Sequence, residues 1–375
     1  MSLATTALVT AAAHAQEADS GRRLAPEVVA ELTATGLARH FVPRRWGGRE
    51  GTFTDLLHEA AAVGEACTSA AWVAMLWAVH GRYAALLPEE GQQRVWGASP
   101  DVRISAALMP PAGRAEPAPD GWRLTGTWGC VSGVDSAEWM LAAAPGDDGE
   151  TRVFAVPGAC VDVLDTWDAT GLRGTGSHTA VVQDAFVPHE LTFPFAELMR
   201  GGSAPGLPRC HTAPAQLAGG LLFCAPALGA ARRALAVWSG WAAAKAPGSG
   251  RPPHDSAAVR ETLAVTSAHI DAAGLLLERA ARRADSDPVT PALVTGNQRD
   301  AAVAVGLLAD VVDRLFRTGG SQLRAGSGEL TRLWRDVHTV ASHGVLRLEP
   351  VAAAYASTAL GGATEERAST ASRSA

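Results

Sequence analysis

Cysteine is scarce in this chain and poorly spaced for chemistry. The 375 residues include five, Cys67, Cys130, Cys160, Cys210 and Cys224. The number is odd, no CxxC pair occurs, and the spacing suits neither a disulfide framework nor a metal site. A reducing cytoplasm is the simplest compartment. Long apolar runs are lacking too: no uninterrupted stretch reaches the roughly 18 residues needed to cross a membrane. Basic charge is in deficit, with a formal net charge of -6, which argues against a nucleic-acid-binding surface. Lys and Arg are missing ahead of the apolar stretch in "MSLATTALVTAAAHAQEA", which Thr5, Thr6 and Thr10 interrupt. Despite the small residues at Ala13-His14-Ala15, it reads as the first helix of the fold and not as a signal peptide.

What is present is globular. Hydrophobic residues make up 47%, and the length allows two or three units around a sizeable core. Residues 1–100 carry helical spacing, as in "LAPEVVAELTATGLARHF", with Pro26 at a first turn. "TDLLHEAAAVGEACTSAAWVAMLWAVHGRYAALL" divides into two helices near Thr68-Ser69. Residues 101–195 change texture. "VRISAALM", "WRLTGTWGCVSG", "WMLAAA", "TRVFAVP" and "TAVVQDAFVP" are short strand-like runs parted by Gly, Pro and Asp clusters, which predicts a small β-barrel or sandwich. Residues 196–361 return to long alanine-rich helices, an antiparallel bundle. Residues 362–375 are small and polar and are expected to be disordered.

"GLRGTGSHTAVVQDAFVP", Gly171 to Pro188, places a donor-rich, flexible loop directly before a strand. Its glycines permit close backbone approach. Arg173, Thr175 and Ser177 supply hydrogen-bond donors at the same place. A long turn and a ligand-holding loop both account for it.

The order helices, β unit, helical bundle resembles the acyl-CoA dehydrogenase superfamily, and within it the two-component flavin-dependent monooxygenase branch. The resemblance runs from about Arg22 to Gly361. It is carried by "VPRRWGG" (Val42 to Gly48), "LTGTWGCVSGVDSAEW" (Leu124 to Trp139), the Gly171–Pro188 stretch and "RLWRDVHTVASH" (Arg332 to His343). It implies a flavin lying between the β unit and the bundle. Trp128, Cys130, Ser132 and Gly133 would pass its edge, with Ser132 near the reactive ring nitrogen, and Arg173, Thr175 and Ser177 would follow its polar arm. "FRTGGSQLRAGSGEL" resembles the stretch that reaches a neighbouring subunit's flavin, with Gly319 and Gly320 allowing close approach. A homotetramer or homodimer is implied. Arg335 would contact phosphate or pair with Asp336.

A missing carboxylate separates the chemistries within that resemblance. The dehydrogenases need a carboxylate base on the substrate face, about two helical turns beyond an Arg-Asp pair. Here the pair is Arg335-Asp336, and no Asp or Glu lies between Val337 and Arg347. The stretch "SAALMPPAGRA" likewise replaces the polar flavin word of the tight-binding dehydrogenases. Both departures suit reduced FMN or FAD supplied by a separate reductase, reacting with O2 to give a C4a-hydroperoxide that the protein shields. The substrate expected is a small aromatic or polycyclic phenol, as in natural-product biosynthesis. N- or S-oxygenation, FAD-dependent dehydrogenation and an inactive binding scaffold are the alternatives.

Histidines then become the chemical candidates, since imidazole titrates near neutral pH. His343 stands where the dehydrogenases place their base. His338, five residues earlier, lies about 140° around a helix from it, so one pocket takes one of the two. His80 closes "AWVAMLWAVH". Eleven tryptophans stand against two tyrosines; of these, Trp72, Trp77 and Trp139 either stack on a flat substrate in the pocket, with His80 and His343, or pack the core.

Overall fold

The computed structural model describes residues 3–147, 149–244, 256–321, 323 and 328–373, with Leu3 and 362–373 as backbone only. Six helices form the N-terminal part: α1 (Leu3–Ala13), α2 (Ala15–Gly21), α3 (Pro26–Ala34), α4 (Phe53–Ala66), α5 (Thr68–Ala84) and α6 (Glu89–Trp96). Alanines Ala7, Ala11, Ala15 and Ala18 are buried, so the apolar N-terminal stretch is a packed element of the fold. Pro26 sits at the start of α3, where its missing N–H costs nothing.

The β unit is a two-sheet sandwich. One sheet has the order β1 (Ile104–Ala107), β4 (Trp139–Pro145), β5 (Thr151–Pro157), β8 (Thr192–Pro194), and the other β2 (Arg114–Ala118), β3 (Gly121–Val131), β7 (His178–Pro188), β6 (Asp162–Leu164). β1 and β4 run parallel, and the other pairs are antiparallel. Their inner faces share one core that includes Ile104, Met140 and Phe154 from the first sheet and Leu124, Trp128 and Val182 from the second. The loop before β7 contains a 3-10 turn at Arg173–Thr175.

Two short helices, α7 (Phe195–Arg200) and α8 (Arg209–Thr212), lead into the bundle: α9 (Ala215–Ala244), α10 (Ala257–Ser286), α11 (Pro291–Thr318), α12 (Glu329–Ala341) and α13 (Leu348–Arg373). By length and composition α9 could cross a membrane; here it packs against α4, α10, α11 and α12. It crosses α4 at glycine: a Cβ on Gly229 would lie 2.1 Å from the Ala61 carbonyl oxygen. The tail expected to be disordered instead prolongs α13 to Arg373, consistent with its Ala, Glu and Arg residues, which are good helix formers.

One element belongs to both cores. All of α5 except Tyr83 is buried, as expected of a helix apolar on every side. It touches α4 and α9 on one side and β1 on the other. Trp72, Trp77 and His80 all stand on it.

Candidate functional site

The site assembles where α5, the end of β3, the loop before β7 and the end of α12 meet. Trp72 on α5 donates its indole N–H to Ser132 Oγ at 3.1 Å. Ser132 Oγ lies 2.7 Å from Ser177 Oγ, and Ser177 Oγ 2.7 Å from Thr175 Oγ1. The Thr175 hydroxyl donates to the Leu172 carbonyl at 2.8 Å. The Gly133 N–H donates to the Thr175 carbonyl at 2.8 Å, which ties the strand end to the loop. Three hydroxyls named in two separate stretches of sequence thus form one row.

On its other side Trp72 meets His343, with ring centroids 5.7 Å apart. Phe223 of α9 closes the group, 4.7 Å from His343 and 5.2 Å from Trp72. Phe223 had no signal in the sequence beyond being an aromatic in an Ala-rich helix. Burial pulls the His343 pKa below its ordinary value, so the imidazole is neutral at pH 7. Its Nδ1 accepts the Val345 N–H at 3.4 Å, a long contact. A neutral ring that accepts there carries its proton on Nε2.

His338 is on a different face. Its Nε2 lies 3.0 Å from Asp313 Oδ1 of α11, which also receives the Trp334 indole N–H at 2.6 Å. Burial alone would raise the Asp313 pKa, but these two hydrogen bonds hold it below the usual value. His80 is fixed by its Nδ1, 2.8 Å from the Ile104 carbonyl oxygen. Desolvation drives its pKa down to about 4, so it joins α5 to β1 as a neutral ring and takes no proton near pH 7.

Other expected ligand residues are used by the protein itself. Trp128 is in the sandwich core with its N–H on the Ala143 carbonyl, because its side chain points inward from β3. Trp139 opens β4 and packs against the same core. Cys130 is exposed at a left-handed backbone position, φ 58°, within an irregular stretch of the β3–β7 register. Arg173 holds the Asp19 and Ala169 carbonyls and pairs with Asp168. Arg335 pairs with Asp19 at 2.7 Å and donates to the Thr170 carbonyl, in place of the expected pairing with Asp336. Asp336 accepts the Leu172 N–H at 2.7 Å. Gly319 and Gly320 end α11; 322 and 324–327, in the stretch expected to reach a neighbouring subunit, lie outside the described residues.

A cleft of about 400 Å³ opens beside the hydroxyl row, lined by Val29, Val73, Arg103, Gly133, Thr175 and Gly176 among others. Gly133 has φ 70°, and a Cβ there would crowd Val73 Cγ1 at 2.9 Å. The buried indole N–H of Trp77 has no partner and lies 3.8 Å from that Cβ position.

The family of the acyl-CoA dehydrogenase C-terminal domain matches residues 221–347. The oxygenase subunit HsaA of a flavin-dependent monooxygenase from Rhodococcus jostii (strain RHA1) is 31% identical over 352 residues, 90% of this chain and 91% of the relative. The chain belongs to the flavin-dependent monooxygenase branch of the acyl-CoA dehydrogenase superfamily. This monooxygenase is also 30% identical over 364 residues to the oxygenase component of an FADH2-dependent resorcinol hydroxylase from Rhizobium sp. (strain MTP-10005), with 88% and 86% of the two chains covered. A solved structure of XiaF from Streptomyces sp., in complex with FADH2 and glycerol, superposes with a TM-score of 0.88 at 27% identity, covering 96% of this chain and 94% of that one.

The flavin that such an enzyme uses suits the residues present. The orphaned Trp77 N–H, the Gly133 backbone that admits no side chain, and the hydroxyl row offer a donor, a close approach and an acceptor within one small region. A buried donor without a partner costs about 1–3 kcal/mol, which a ligand acceptor would offset.

Proposed function

We propose that this chain is the oxygenase component of a two-component system, receiving reduced FMN or FAD from a separate reductase and hydroxylating a small aromatic phenol. Two relatives bear names of that kind: a resorcinol hydroxylase and a p-hydroxyphenylacetate 3-hydroxylase, oxygenase component, from Acinetobacter baumannii. Ser132, Gly133 and Trp77 hold the flavin. When bound, reduced flavin supplies the two electrons that activate O2 for insertion of one oxygen atom. A homotetramer or homodimer is the proposed assembly.

The observation that carries the reading is the His343 ring, kept neutral by burial and packed against both Trp72 and Phe223. The outer edge of this aromatic cluster offers a flat ring favourable offset or edge contacts. His343 Nε2–H then donates to the substrate hydroxyl oxygen. That bond stabilises the phenolate over the phenol and enriches the ring in electrons where oxygen is to be added. The role is therefore donation to the substrate oxygen; taking its proton would first require Nδ1 to release Val345.

The test compares His343→Ala with His343→Gln, measuring product and hydrogen peroxide per O2 consumed with candidate phenols and added reductase. His343→Ala is expected to lower product per O2 and raise peroxide. His343→Gln, which keeps an N–H at a similar reach, is expected to recover part of the coupling. Full coupling in His343→Ala removes His343 from the chemistry, and no recovery in His343→Gln returns it to the role of proton acceptor.

A further inference from the structure

We propose that Thr175 and Ser177 make this monooxygenase selective for reduced flavin, by fixing the direction in which the Ser132 hydroxyl can hydrogen-bond. The inference rests on the reading above that Ser132 faces the reactive ring nitrogen of the flavin.

The argument counts protons. Ser132 Oγ is 2.7 Å from Ser177 Oγ, Ser177 Oγ 2.7 Å from Thr175 Oγ1, and Thr175 Oγ1 2.8 Å from the Leu172 carbonyl oxygen. Oxygen atoms this close must share a proton, because lone pair against lone pair is repulsive. The carbonyl brings none, so the proton in the last contact belongs to Thr175. A hydroxyl has one proton. The middle contact therefore holds the proton of Ser177, and the first holds that of Ser132. Trp72 already donates to Ser132 at 3.1 Å. With its proton committed and one lone pair occupied, Ser132 has a single lone pair left. It can accept from a ligand and cannot donate to one.

The row is anchored against reversal. Thr175 and Ser177 are 2% and 4% exposed, so water does not compete for their hydroxyls. Both backbone groups of Leu172 are held: its N–H donates to Asp336 at 2.7 Å, and its carbonyl also receives the Thr175 N–H at 3.1 Å and the Trp167 indole N–H at 3.0 Å. Leu172 itself sits in the left-handed region, φ 50°, a conformation that these contacts maintain.

The two redox states of a flavin differ at that ring nitrogen. It is a bare acceptor in the oxidised ring and carries an N–H in the reduced ring. An acceptor-only Ser132 bonds the reduced form and sets lone pair against lone pair in the oxidised form. A cofactor that enters reduced and leaves oxidised is served by such a site. Thr175 and Ser177 are positioning residues, acting through Ser132.

The test is binding, with no turnover. Dissociation constants for oxidised and anaerobically reduced FMN and FAD are measured in wild type, Ser177→Ala, Thr175→Val and Ser132→Ala, alongside thermal unfolding. Either upstream substitution frees the Ser132 proton. Oxidised flavin is then expected to bind about 3- to 10-fold more tightly while reduced flavin changes less. Ser132→Ala is expected to weaken reduced flavin. Thr175→Val preserves shape if Ser177→Ala fails to fold. An unchanged preference in the folded upstream variants, with reduced flavin still weakened in Ser132→Ala, overturns this inference alone. A Ser132→Ala protein that binds both forms as wild type does overturns the placement of Ser132 beside the flavin, and this inference with it.

Discussion

Asp336 of α12 and Leu172 of the loop before β7 meet across the boundary between the bundle and the β unit, with Oδ1 2.7 Å from the amide nitrogen. The bond closes a circuit. From Leu172 the hydroxyl row leads to Ser132, Trp72 and the His343 ring, and His343 follows α12 by two residues. The two sides of the site are therefore set by one carboxylate that touches neither.

Burial raises the Asp336 pKa to about 6, against partial relief from the Leu172 N–H. A raised carboxyl pKa favours the folded state fully below the unfolded value near 4, and that contribution is lost as pH rises through about 6. Asp336→Asn keeps an acceptor for Leu172 and cannot ionise. Relative to wild type, the variant is expected to gain stability between pH 4 and pH 8, by up to about 3 kcal/mol. Chemical denaturation at several pH values checks it; a constant difference between the two proteins across that range would show that Asp336 ionises as freely folded as unfolded.

Trp77→Phe removes a buried N–H that has no partner. In the flavin-free protein, relief of the unpaired donor, about 1–3 kcal/mol, opposes the loss of buried ring volume, so stability should change little, while flavin affinity falls. Melting temperatures without flavin and titrations with reduced FMN and FAD give both quantities. A loss of stability with unaltered affinity would mean that Trp77 only packs.

Arg173→Ala should act on stability before binding. Its guanidinium joins α2 to the loop through the Asp19 carbonyl at 3.0 Å and holds the Ala169 carbonyl at 2.9 Å. A loss of about 1–2 kcal/mol is expected, with flavin affinity reduced only as far as the loop loosens. Wild-type stability together with at least tenfold weaker flavin binding would instead make Arg173 a direct ligand.

His338→Ala should leave product per O2 as in wild type, since His338 faces Asp313 and Trp334. Uncoupling in this variant, with His343→Ala fully coupled, would exchange the roles of the two histidines.

Much of the fold was legible because it rests on local pattern. Helical spacing marked α3, α4 and α5, and the break near Thr68 falls where α5 begins. The β unit was visible as alternating, β-branched runs between turn residues. The site was legible in part. Ser132, Thr175 and Ser177 were named from two motifs, and Trp72 and His343 from position, and all of them converge. The side chain of Trp128, placed at the flavin edge by resemblance, packs in the sandwich core. Inward positions on β3 are Leu124, Trp128 and Val131, and the left-handed Cys130 shifts the alternation before Ser132. Phe223 could not be read at all: α9 buries residues on nearly every side, so no periodicity singles out the one ring that reaches His343.

The burial of α5 bears on how the substrate of such an enzyme can change. Trp72 and Trp77 are wall and girder together, since the helix that presents them is packed against the bundle on one flank and the sandwich on the other. Reshaping the pocket from that side disturbs packing, at about 3–5 kcal/mol for a buried Trp cut to Ala, in a protein whose whole margin is about 5–15 kcal/mol. The opposite wall is cheaper. Phe223 and His343 are only half-buried, and a change there disturbs fewer neighbours. Variants selected for a larger or smaller aromatic substrate should therefore accumulate around Phe223, and leave α5 as it is.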